Sequence, residues 1–181
     1  MTINTPSTTT LWDPLVRLFH WSLVAIFISN YFINEEGEDW HQWLGYIAVG
    51  WLVIRLVWGF IGPRAARWSD FFPTPKRIRS HLHAIGAGET VHRMGHSPLG
   101  ALVMIAMLLC VAALGATGYM MEEIDYFWGE DWLEETHEWL ANSLLALVIL
   151  HVSAAIYVSS RVKENLVVSM ITGRRQRITE D

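Results

Sequence analysis

Four apolar runs, each close to twenty residues long, dominate this 181-residue chain. They extend roughly over Pro14–Ile33, Trp43–Ile61, Pro98–Met121 and Trp139–Ser160. A helix needs about 20 residues to cross the hydrocarbon core of a bilayer. Hydrocarbon offers backbone N–H and C=O groups no water, so each crossing must satisfy its own hydrogen bonds. The expected fold class is therefore all-α, an integral membrane four-helix bundle. It forms one domain over 1–181, with a connecting loop at 62–97, a tail at 161–181 and no soluble domain. Charged residues make up only 17% of the chain, against about 25% in ordinary soluble domains. The first run is not expected to be a cleaved leader. No basic stretch precedes it and no small-residue cleavage site follows it.

Charge sets the expected orientation. No Lys or Arg occurs between Arg17 and Arg55, or between Arg93 and Arg161. Those gaps contain the first and third interhelical loops and hold 12 of the 18 acidic residues. The basic residues gather in the second loop (Arg64, Arg67, Lys76, Arg77, Arg79, Arg93) and in the tail. By the positive-inside rule both termini and the second loop face the cytoplasm. Trp12, Trp40, Trp43, Trp58, Trp128, Trp132 and Trp139 fall near expected span ends, as an interfacial aromatic belt would. Asp13 before Pro14, and Ser97 before Pro98, read as helix caps followed by a first-turn proline. Thr74–Ile85 and Lys163–Arg175 read either as short basic surface helices or as solvated segments. With membrane lipid as surroundings and a net charge of −5, nucleic acid is not an expected partner.

Against this background four histidines stand out. His20, His41, His137 and His151 lie in or at the edge of the spans, where an ionisable ring is rare and usually functional. His137 and His151 share the fourth helix, 14 residues apart. That interval offsets them by only about 40° around the axis and separates them by about 21 Å along it. They face one side at two depths. His20 enters the first helix from the basic end, and His41 enters the second from the acidic end. Depth therefore pairs His20 with His151 and His41 with His137. One imidazole from each of two facing helices, repeated at two depths, suits two bis-histidine b haems. Two axial ligands leave the iron no open position, which favours electron transfer over oxygen binding. The competing readings are a zinc or copper site, and a proton path or structural histidines. His96, at the mouth of the third helix, is the rival ligand.

Other residues gain candidate roles from this arrangement. Gly45, one turn from His41, and Gly115 and Gly118 on the third helix would make room for a flat macrocycle, although glycine also serves ordinary helix contacts. Arg17 and Arg55 are the basic candidates for haem propionates at the inner site. No Lys or Arg stands near the outer site, which leaves water, backbone N–H groups, or the indoles of Trp40 and Trp43. Cys110 is alone, which excludes an internal disulfide, a CxxCH haem attachment and a cysteine-cluster metal site.

The stretches "LFHW", "WHQWLGY", "WGFIGPRAARWSDF" and "THEWLANSLLALVILHV" together resemble the bacterial cytochrome b561 family. They are also similar to the cytochrome b subunit of nickel-iron hydrogenases. The resemblance implies two b haems held by His20, His41, His137 and His151, and electron exchange with the quinone pool. Ubiquinone would then be a substrate. One branch of the family resembles a superoxide oxidase, a superoxide:ubiquinone oxidoreductase. Such an enzyme needs positive charge to steer the anion to its outer haem, and the outer loops here are acidic. The expected function is transmembrane electron transfer between quinone and a redox partner. A periplasmic c-type cytochrome with a basic docking face would fit the acidic loops. The alternatives are the superoxide oxidase and the membrane-anchor subunit of a hydrogenase-like dehydrogenase.

Overall fold

Asp13 starts the first long helix. Its carboxylate accepts from the backbone N–H groups of Leu15 and Val16 at 3.0 and 3.1 Å, and Pro14 fills a position where no N–H is needed. The computed structural model describes residues 8–10, 12–35, 37–87, 97–162 and 165–176. Within them, α1 covers Pro14–Phe32 and α2 covers Asp39–Ile61. A short α3, Trp68–Phe71, precedes α4 at Pro75–Gly86. The second pair of long helices is α5, Pro98–Glu123, and α6, Asp131–Val162. A last short helix, α7, covers Leu166–Thr172.

Four of these helices are long and apolar enough to cross a membrane: α1, α2, α5 and α6. Their outer surfaces carry Leu18, Ile28, Val53, Leu109, Ile149 and Ile156 in exposed positions, the surface that lipid covers and water would not tolerate in such quantity. α2, α5 and α6 extend past their apolar runs. α6 begins eight residues before Trp139, because Asp131 and Glu134 place acids in its first turn, where the helix dipole favours them. Ser97 caps α5 by accepting from Gly100 N–H at 3.1 Å.

Neighbours pack in chain order: α1 on α2, α2 on α5, α5 on α6. Gly115 lets α5 approach α2 closely, since a Cβ there would overlap Val49. Across from α1 and α2, α6 is met mainly by side chains. Tyr31 on α1 donates its hydroxyl to Asn142 Oδ1 on α6 at 2.6 Å. At the same end, Tyr46 on α2 donates to Glu123 on α5 at 2.9 Å.

The segment after α2 folds back on that helix. The Trp68 indole donates to Leu56 C=O at 3.2 Å and lies over Gly59, where a Cβ would strike the ring. Arg67 Nε donates to Gly62 C=O at 2.7 Å, and Arg77 reaches the carbonyls of Asp70 and Phe72, both at 3.1 Å. Thr74 caps α4, so the expected basic helix is present.

The tail departs from expectation. Its helix stops at Thr172, where Gly173 takes a left-handed φ of 75°. The chain then forms a strand, β2 (Arg174–Gln176), antiparallel to β1 (Thr8–Thr10), with Thr10 opposite Arg174. Trp12 N–H donates to Gly173 C=O at 3.2 Å. Both termini are thereby tied together at one end of the bundle. Lys163, in the stretch read as the start of that helix, lies outside the described residues, as do His92, Arg93 and His96.

Gly59→Ala should destabilise the protein by about 1–3 kcal/mol, since its methyl meets the Trp68 ring. Thermal unfolding of the detergent-solubilised protein reads this, and Trp68→Ala in the same chain should remove most of the added penalty.

Candidate functional site

Two histidine pairs occupy the space between α6 and the first two helices. His20 on α1 faces His151 on α6 with ring centres 6.4 Å apart and ring planes at 52°. His41 on α2 faces His137 on α6 at 6.2 Å and 55°. Both pairs follow the depth order expected from helix direction. Each ring is half-buried.

The spacing can be compared with a bond length. Two imidazoles bound end-on to opposite sides of one metal ion, at about 2.0–2.1 Å each, hold their ring centres roughly 6 Å apart. Direct hydrogen bonding between two rings would bring a nitrogen of one against a nitrogen of the other, and no such bond joins either pair. Instead, Nδ1 of His20 and Nδ1 of His41 are buried without a partner. Two histidines per pair also bear on which metal group would fit. Structural zinc takes four protein ligands and catalytic zinc three. Among the described residues no three His, Cys, Asp or Glu side chains gather at one point. A haem brings its own equatorial donors and asks the protein only for axial ones, so the residues present fit that group.

Four polar contacts that sequence reading missed lie at the acidic end of the bundle, around the His41–His137 pair. Asn30 on α1 donates to the backbone carbonyl of His41 at 3.0 Å, and Asn34 donates to Asn30 Oδ1 at 3.0 Å. Thr117 on α5 lies 2.7 Å from His137 Nδ1. The fourth is the Tyr31–Asn142 bond, five residues of α6 beyond His137. Polar side chains inside apolar helices were the available signal for all of them.

The basic candidates divide. Arg17 Nη2 donates to Ile171 C=O, which ties α1 to α7, while its Nε is buried without a partner. Arg55 is 3% exposed. Its guanidinium lies 4.5 Å from the centre of the Trp68 ring and 5.8 Å from that of Phe71. Its Nη1 is buried and has no hydrogen-bond partner.

The glycines divide too. A Cβ on Gly45 would meet nothing within 4 Å, so open space lies beside it. A Cβ on Gly118 would touch His137 Cε1 at 3.6 Å, which places this glycine against the ring. Gly115 instead serves the α2–α5 contact. Trp40 and Trp43 are exposed on the first turn of α2.

Residues 11–173 match the profile described as prokaryotic cytochrome b561, nearly the whole chain. The chain belongs to the prokaryotic cytochrome b561 family. Two curated relatives are described as probable Ni/Fe-hydrogenase B-type cytochrome subunits. The protein of Bradyrhizobium diazoefficiens is 22% identical over 210 aligned positions, covering 92% of this chain and 85% of that one. The protein of Rhizobium leguminosarum bv. viciae is 24% identical over 213 positions, covering 91% and 87%. No solved structure matches. As a family member the chain is a multi-pass membrane cytochrome of b type, with haem b as its cofactor and electron transfer as its chemistry.

Removing the bond between α1 and α6, by Tyr31→Phe or Asn142→Ala, should lower stability by about 1 kcal/mol. In unfolding measurements the double variant should lose no more than the larger single loss. Additive losses would show that the two side chains act apart.

Proposed function

We propose that the chain carries electrons across the membrane through two bis-histidine b haems, one held by His20 and His151 and the other by His41 and His137. The reading rests on one observation: two imidazole pairs at 6.4 and 6.2 Å, at two depths of one bundle. When bound, haem b supplies a one-electron couple at its iron. The chain's own residues do the rest. Each pair of imidazoles would hold one haem and keep small ligands from its iron. The apolar walls of α1, α2, α5 and α6 exclude water. Gly45 leaves room on α2 one turn from His41, and Gly118 lets α5 lie against the His137 ring. Arg55, with an unpaired buried Nη1, offers a charged hydrogen bond to a carboxylate such as a haem propionate at the basic end. Arg17 offers its Nε at the same end.

The charge distribution supports the orientation with both termini and the basic loop in the cytoplasm. Electrons then pass between the quinone pool and a partner at the acidic periplasmic face. A partner with a basic rim, such as a small c-type cytochrome, is complementary to it. A second reading follows from the two relatives. In it the chain is the membrane-anchor cytochrome of a hydrogenase-like dehydrogenase, and the partner is that enzyme's electron-transferring subunit. Co-purification of a dehydrogenase from gently solubilised native membranes separates the two.

Purified, haem-replete protein should show a Soret band and two b haems per chain by pyridine haemochrome assay. His20→Ala and His137→Ala should each leave one. Two haems retained in His20→Ala would break the pairing. Haem reoxidation by a cationic cytochrome c should slow several-fold between low and physiological ionic strength. A flat profile would remove the docking surface from the proposal.

A further inference from the structure

Thr117 makes contacts that fix more than packing. Its hydroxyl lies 3.0 Å from Ala113 C=O and 3.2 Å from Leu114 C=O, both on its own helix, and 2.7 Å from His137 Nδ1. A hydroxyl has one hydrogen to give and two lone pairs to offer. The two carbonyls can only accept, and a threonine inside a helix commonly donates its hydrogen to them. The Thr117 oxygen is then left to accept, and the partner facing it is His137 Nδ1. With Nδ1 turned to Thr117, Nε2 is the nitrogen free to bind iron, and an imidazole bound through Nε2 carries its hydrogen on Nδ1. A neutral imidazole has only one N–H, so the lone pair of His137 is on Nε2.

We infer that Thr117 is a positioning residue for the acidic-end haem, accepting from His137 Nδ1–H so that Nε2 is presented as the axial donor. The inference rests on the two-haem reading above. None of the other three ligand histidines has such a partner among the described residues; Nδ1 of His20 and of His41 is buried and unpaired. The two sites are therefore unequal. An imidazole that donates through Nδ1–H is a more electron-rich ligand with a fixed ring orientation, and losing such a partner commonly weakens metal binding about 10–100-fold. A richer ligand favours the more positive oxidation state of iron. The acidic-end haem should then have a lower potential than its ligand set alone would give it.

The experiment is a potentiometric titration, followed by haem absorbance, of the full-length protein and its Thr117→Val and Thr117→Ser variants. Wild-type protein should contain two haems; fewer would end the two-haem reading before Thr117 is judged. In Thr117→Val one haem wave should move to higher potential, or that haem should be lost on dilution at 10–100-fold weaker affinity. The other wave should stay in place. Thr117→Ser, which keeps the hydroxyl, should restore the wild-type wave. Unchanged waves in Thr117→Val, equal movement or loss of both haems, or a Ser variant displaced as far as Val would each overturn the inference.

Discussion

Both histidine pairs depend on α6 being one unbroken helix from Asp131 to Val162. The helix must present His137 to α2 and His151 to α1 on nearly the same face. Each added or deleted residue between them would turn one ring by about 100° relative to the other. A kink would move one ring along the axis and spoil a spacing that agrees between the pairs to 0.2 Å, 6.4 against 6.2 Å. The sequence between them, "EWLANSLLALVIL", contains no proline or glycine. The backbone ladder of a membrane-spanning helix satisfies its own N–H and C=O groups, and α5 packs along α6 beside it.

The long-range order of the site was legible because a membrane restricts it. Span length, helix direction and the 3.6-residue period fix a residue's depth and face. From those, His20 opposite His151 and His41 opposite His137 follow without knowledge of side-chain contacts. The caps at Asp13 and Ser97 were legible for a different reason: their geometry is local to three residues. What stayed hidden lacked both supports. β1 pairs with β2 across more than 160 residues, and a three-residue strand has no periodicity to read. Thr117 and Asn30 each look like one more polar residue in an apolar helix until the partner 2.7 or 3.0 Å away is known.

The glycines show how far composition can mislead about role. All three candidates on α2 and α5 looked alike as space-makers. Only Gly45 has open space beside it, Gly118 borders a histidine ring, and Gly115 lets Val49 approach its backbone. A missing side chain serves a ligand or a neighbouring helix equally well, and only the contact distinguishes them.

Arg55 raises the same kind of question in charged form. A guanidinium 3% exposed within a membrane helix must be compensated, because hydrocarbon gives it no solvation. Trp68 supplies part of that compensation by lying 4.5 Å from the guanidinium carbon, and Gly59 makes the indole's position possible. The fold thus invests a loop, a short helix and a glycine in seating one cation. An aromatic ring, however, satisfies the flat face of a guanidinium and leaves its edge N–H groups with their hydrogens still to place. Nη1 is such an edge, buried and unpaired. A donor held open at the end of the bundle where His20 and His151 meet is what a propionate carboxylate would use.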